Sequence, residues 1–247
     1  MAGDQEKQKF KAAAVVWDLD GTLADTAADL TAALNALMFE HGRQGHTVES
    51  VRTMIGAGVA KLIERGFHAA DAALTPEQRD ALVPRFMEIY ADCATDRTHL
   101  VPQAREVLEQ LHRAGIKQGV CTNKPYAVSM QILNALDASG YLGSVVGGDS
   151  APAKKPDAAP LLACLKELGV QPGESLMVGD SAADVGAARA AGVPVILVPD
   201  GYTDAPVESL GADCVVGSIA DIPDLLVTVN AGWSACADDQ SGARSSP

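Results

Sequence analysis

Asp18 and Asp20, in the string WDLDGTL, are the first residues of this 247-residue chain whose types and spacing suggest chemistry. They follow the apolar run Ala12 to Trp17, and the carboxyl ends of strands are where ligands bind in an open α/β sheet. With Leu19 turned away, both carboxylates face one site. Two carboxylates so close raise one another's pKa unless a cation lies between them. Mg²⁺, a hard ion that takes oxygen ligands, answers that need. A turn or helix cap is the commoner explanation of a lone Asp-x-Asp. Gly21 and Thr22 change the balance, because glycine permits a sharp turn and the N–H groups beyond it are able to bind phosphate oxygens.

A second acidic pair, Asp180 and Asp184, lies in GDSAAD directly after the apolar run SLMV. One helical turn between them puts both on the same side. A helix start with dipole-favoured acids is the plainer reading, but it does not account for both pairs falling at strand ends. Between the pairs, CTNKP ends another run with the hydroxyl of Thr122 and the amide of Asn123, both donors for a phosphate oxygen. Thr122 alone reads as a helix cap. In KKPD, Lys155 precedes Pro156, which restricts it to extended backbone and so favours an inward ammonium over the usual solvated one.

The elements that position these residues alternate. Strands are expected at Ala12 to Trp17, Ile116 to Cys121, Ser144 to Val146, Ser175 to Val178, Pro194 to Val198 and Cys214 to Val216. Helices are expected at Pro102 to Ala114, Pro125 to Leu136, Asp157 to Leu168 and Asp184 to Ala191, stopping at or near Gly115, Gly140, Gly169 and Gly192. Short apolar runs separated by helices predict a doubly wound parallel α/β sheet of Rossmann type. From about Ala24 to Arg97 only helical patterns occur, such as LTAALNALMFEHG, so a small helical cap is inserted there. The expected domains are a core of 1–23 with 98–230, a cap of 24–97, and a disordered tail of 231–247.

The bulk properties narrow the partners. A formal charge of −13 repels nucleic acid and anionic lipid at long range. Five cysteines without a C-x-x-C pair read as reduced thiols. The apolar run after Lys7, Lys9 and Lys11 ends at Asp18, too short for a signal peptide, and no stretch suits a membrane span. A cytoplasmic protein is expected, monomer or homodimer, with a small phosphorylated metabolite as partner, no nucleic acid and no membrane.

The ordered set DLDGTL, CTNKP, KKPDAAP and GDSAAD resembles the four motifs of the haloacid dehalogenase-like hydrolase superfamily. The string VRTMIGAGVAKLIERGF, the TNKP form and GGDSAPAKKPDAAPLL are similar to its phosphoglycolate phosphatase group. Trp17 stands where Phe is usual and Ala158 interrupts the more frequent KPDPAP form; neither touches a reacting group.

The resemblance implies a Mg²⁺-dependent phosphomonoester hydrolase, with 2-phosphoglycolate as the expected substrate. Asp18 would be the nucleophile and Asp20 the acid and base, with Thr122 and Lys155 sharing the phosphoryl charge. The metal would be held by Asp18, the backbone carbonyl of Asp20 and Asp180, with Asp184 as ligand or support. Gly21, Thr22 and Asn123 are expected at the substrate, and Arg52, Lys61 or Arg65 of the cap could pair with its carboxylate. Another small phosphate ester, pyrophosphate, or a phosphomutase reaction would use the same residues. A sensor that binds phosphate or metal without turnover would be expected to lack Asp18, Asp20 or Lys155, and all are present.

Overall fold

The computed structural model of the protein describes residues 9–203 and 205–228. The strands are β1 (Phe10–Ala12), β2 (Ala14–Trp17), β3 (Ala24–Asp25), β4 (His99–Leu100), β5 (Lys117–Cys121), β6 (Ser144–Val146), β7 (Ser175–Gly179), β8 (Val195–Leu197), β9 (Cys214–Val215) and β10 (Leu226–Thr228). The helices are α1 (Ala27–Glu40), α2 (Val48–Arg52), α3 (Val59–Ala69), α4 (Pro76–Cys93), α5 (Ala104–Arg113), α6 (Tyr126–Ala135), α7 (Ala159–Leu168) and α8 (Ala182–Ala191).

Six strands form a parallel sheet in the order β6-β5-β2-β7-β8-β9, the doubly wound arrangement expected. Alternate residues of β2 point to opposite faces, as pleating demands. Val15 and Trp17 join a core with α5, while Ala14 and Val16 join one with α7 and α8. Because β2 is central, Asp18 emerges between the ends of β5 and β7.

Several local expectations are corrected. The first apolar run divides at Ala13: Phe10–Ala12 pairs with Leu226–Thr228 in a separate parallel ribbon, a long-range partner that local pattern does not reveal. Helix α6 does not stop on Gly140; Asp137 takes the left-handed conformation (φ 48°), which aspartate tolerates. The helical stretch also carries strand at its edges, since Ala24–Asp25 pairs antiparallel with His99–Leu100, two residues each and too short to show a period.

Helices α1 to α4 share an apolar core that also takes in Val128 and Ile132 of α6 and Tyr202. In α1 the buried residues Leu30, Ala33, Leu34 and Leu37 recur at helical spacing, and they pack with Ile63, Phe67, Phe86 and Tyr90 of α3 and α4. Asp29 of α1 ties down the returning chain, its Oδ2 accepting from Thr98 N (2.8 Å), Thr98 Oγ1 (2.8 Å) and Arg97 N (2.9 Å). The expected tail at 231–247 lies outside the described residues, as do the first eight residues of the expected core.

Candidate active site

The carboxyl ends of β2, β5 and β7 carry Asp18, Thr122 and Asp180, all buried. Asp20 lies two residues beyond Asp18, while Leu19 points into the core. Carboxylate oxygens of Asp18, Asp180 and Asp184 fall within 4.8 Å of one another. Lys155 is their counter-charge: its Nζ lies 2.9 Å from Asp18 Oδ1 and donates to Asp184 Oδ1 at 2.6 Å. The side-chain amide of Asn123 clamps the Lys155 backbone, accepting from Lys155 N (2.9 Å) and donating to Lys155 O (3.0 Å). It also donates to Gly56 O of the helical segment (3.0 Å). Asn123, expected at the substrate, therefore has its side chain engaged in holding the lysine.

The turn after Asp18 also differs from expectation. Thr22 N–H turns back towards Leu19 O (3.4 Å), and its hydroxyl donates to Asp180 Oδ1 (3.1 Å). Gly21 has φ +83°, and a Cβ there would stand 2.6 Å from Asp180 Oδ2, so only glycine fits. Both residues line a neighbouring cleft with Asp25, Arg52 and Tyr202 rather than the space above Asp18; Thr22 holds Asp180, and Gly21 leaves room for it.

Asp184 satisfies both readings of its position. Its Oδ2 accepts from Ser181 N (3.1 Å) and Ser181 Oγ (2.6 Å), a helix cap, while Oδ1 meets Lys155. Asp20 turns aside from the acidic cluster: its Oδ1 accepts from Thr26 Oγ1 (2.6 Å) and lies 3.0 Å from Lys124 Nζ.

The electrostatics follow from burial. Burial pushes the Asp18 carboxyl up to about 7; Lys155 opposes this, and Asp184 and Asp20 add to it. Asp180 is raised well above the usual carboxylate range by burial, then by Asp184 and Asp18. Burial works against the charged form of Lys155, yet Asp18 and Asp184 outweigh it and hold the ammonium charged. With all four ionised, as a bound cation would keep them, Asp18, Asp20, Asp180 and Asp184 carry two more charges than Lys124 and Lys155 neutralise. A buried uncompensated charge costs several kcal/mol. The oxygen-only donor set and its double negative excess fit Mg²⁺.

Above Asp18 lies a narrow, partly open cleft. Asp18, Asp20, Thr122, Asn123 and Lys124 line one side; Leu30, Ile55, Gly56, Gly58, Val59 and Leu62 line the other. The expected cationic residues of the helical segment are not among its lining. Arg52 pairs with Asp25 (2.5 Å) and stacks on Tyr202, Lys61 pairs with Glu64 on the surface, and Arg65 donates to Met54 O (3.1 Å).

Comparison with known proteins agrees with this geometry. The family model described as haloacid dehalogenase-like hydrolase matches residues 15–198. The chain belongs to that family. The hydrolase is 43% identical to a phosphoglycolate phosphatase of Caulobacter vibrioides, covering 88% of this chain and 92% of that protein. It is 40% identical to one of Rhodospirillum rubrum, over 86% and 90%. Among solved structures it resembles a predicted phosphoglycolate phosphatase of Haemophilus somnus, with a TM-score of 0.81 and 29% identity over 87% of this chain and 98% of that one. The superfamily, its phosphoglycolate phosphatase-like group and the enzyme class expected from the motifs are thus borne out.

Two residues of the hydrolase's site escaped the sequence reading. Lys124 sat in view beside Thr122 and Asn123, but a lysine is usually a surface charge. Tyr202 follows β8 and so also stands beyond a strand's carboxyl end. Its N–H donates to Asp180 Oδ2 (2.6 Å), while its hydroxyl accepts from Thr26 N (2.7 Å) and Ala27 N (3.0 Å) and donates to Asp25 Oδ1 (2.7 Å).

Proposed function

We propose that this hydrolase is a Mg²⁺-dependent phosphomonoesterase that acts on 2-phosphoglycolate through an aspartyl phosphate, with Asp18 as nucleophile. The observation that carries the reading is the buried Asp18 carboxylate held 2.9 Å from Lys155, with Asp20 beside it in the same cleft. An Asp18 oxygen forms a bond to phosphorus while the ester P–O bond breaks, and Asp20 gives its proton to the departing alkoxide. Water then attacks phosphorus, Asp20 takes a proton from it, and the Asp18–phosphorus bond breaks to release phosphate.

The remaining residues are assigned by their contacts. Lys155 shares the charge of the phosphoryl oxygens, as phosphoryl transfer requires. Thr122 Oγ1 accepts from Lys124 N (3.2 Å), and its own proton serves a phosphate oxygen. Asp18, Asp180 and the backbone carbonyl of Asp20 would hold Mg²⁺, with Asp184 in support, and the ion would neutralise phosphoryl charge. The helical segment works as a cap: its apolar residues complete the cleft and keep bulk water from it.

The substrate follows from what the relatives are called and from the cleft, whose cap side offers apolar side chains and no side-chain donor for sugar hydroxyls. We propose as well a cytoplasmic monomer or homodimer with no nucleic-acid or membrane partner. The charge of −13 disfavours nucleic acid and anionic lipid as partners. The test is phosphate release from 2-phosphoglycolate, sugar phosphates and pyrophosphate, with Mg²⁺ and with EDTA. Metal-dependent preference for 2-phosphoglycolate is expected; equal or greater turnover of a sugar phosphate would remove the substrate assignment.

A further inference from the structure

The cleft above Asp18 is lined by only one cationic residue among those described, Lys124. Its ammonium is nearly enclosed (3% side-chain exposure), 3.0 Å from Asp20 Oδ1, and donates to Tyr90 OH of α4 at 2.9 Å. It lies 4.7 Å from the centre of the Tyr90 ring. An ammonium has three protons, so those two partners do not exhaust it. Lys155 is different, since Asp18 and Asp184 flank it and it is absent from the cleft lining.

Position decides which part of a substrate Lys124 meets. In the proposed reaction Asp20 protonates the leaving oxygen, so that oxygen must lie against Asp20. Lys124 is in direct contact with the Asp20 carboxylate, so it stands beside the leaving group rather than the transferred phosphoryl. In 2-phosphoglycolate the carboxylate is borne by the carbon attached to the leaving oxygen, which brings it to this side of the cleft. The opposing wall is apolar, with Leu30, Ile55, Val59 and Leu62. Among the side chains that line the cleft, Lys124 is the one that offers a positive charge to this carboxylate, and an unpaired buried charge is costly.

We infer that Lys124 determines specificity: its ammonium receives the carboxylate carried by the leaving group of a short phosphate ester. The cap cations Arg52, Lys61 and Arg65 take no part. This rests on the phosphatase reading above and names the residue that selects within it.

The test compares kcat/KM for 2-phosphoglycolate, 2-phospholactate and ethyl phosphate in wild type, Lys124→Met, Lys124→Gln and Lys124→Arg, with folding checked by circular dichroism. All esters will lose rate where Asp20 loses its partner, so the readout is the ratio of acidic to neutral ester. That ratio is expected to fall about 10- to 100-fold in the Met and Gln variants, the worth of a hydrogen bond to a charged group, and to be largely kept in Arg. Parallel losses on all three esters would overturn the inference and leave Lys124 as a support for Asp20 alone. Wild-type preference for 2-phospholactate over 2-phosphoglycolate, with the ratio of acidic to neutral ester still falling in Lys124→Met, would refute the substrate and uphold Lys124. A wild type preferring ethyl phosphate would refute both. A readout independent of any variant is a crystal structure of wild type with the isostere 3-phosphonopropionate. Its carboxylate is expected within about 3.2 Å of Lys124 Nζ; a carboxylate directed to Arg52 or to solvent would overturn the assignment.

Discussion

Replacing Lys155 by methionine keeps the stem and removes only the charge, which makes it the sharpest perturbation of the site. In the folded protein the ammonium is 1% exposed and touches Asp18 Oδ1 at 2.9 Å and Asp184 Oδ1 at 2.6 Å. Without it, two carboxylates remain buried beside Asp180 with no cation from the chain between them. Breaking a buried pair by removing one partner costs about 3–5 kcal/mol. For a domain of roughly 150–250 residues each kcal/mol moves Tm by about 2–4 °C, so Lys155→Met should melt roughly 6–20 °C below wild type in EDTA. Turnover should fall by about 10²–10³-fold, the usual loss on removing one group that stabilises transition-state charge. Differential scanning fluorimetry in EDTA and steady-state phosphate release with saturating Mg²⁺ make the two measurements. A variant that melts within about 2 °C of wild type and turns over within about tenfold of it would refute the assignment of Lys155 as the counter-charge.

Three further outcomes follow from the same contacts. Asp18→Asn should abolish turnover while keeping the wild-type circular dichroism spectrum; substantial residual rate would remove Asp18 as nucleophile. Burial raises the Asp18 and Asp180 carboxyls, so the native chain holds protons that the open chain has released. Metal-free stability should therefore fall as pH rises from about 4 to about 7, and the Tm gain on adding Mg²⁺ should be larger at pH 7 than at pH 5; a gain independent of pH would count against the site. Tyr202→Phe leaves the Thr26 and Ala27 N–H groups without the phenol oxygen, which should cost about 1–3 kcal/mol and speed proteolysis between the core and the helical segment, measured by urea melts and limited trypsin digestion.

Much of this is legible in the sequence. Asp18, Thr122 and Asp180 directly follow strands, Asp20 and Asp184 stand close behind, and Lys155 precedes α7; strand ends are visible because buried parallel strands are short, continuous apolar runs. The helical segment showed itself by a change of period, as in the Leu30, Ala33, Leu34, Leu37 stripe. What was not legible depends on contacts between distant residues. The pairing of Phe10–Ala12 with Leu226–Thr228 joins segments more than 200 residues apart. Likewise Asn123 looked like a phosphate donor until its amide was found clamped on Lys155, and Arg52 looked like a substrate cation until Asp25 was found beside it.

By itself, then, the order of residues determined the parallel sheet and the set of acids and bases it presents, because periodicity and motif spacing are local properties of the chain. Only the tertiary structure decided which charged groups meet. Lys124 and Lys155 differ in sequence by little more than position, yet one contacts Asp20 and Tyr90 beside the cleft and the other is enclosed between Asp18 and Asp184. The reason is physical: burying an ammonium is tolerable only against an acid that neutralises it, and which acid stands there is settled by how strands and helices distant in the chain are packed.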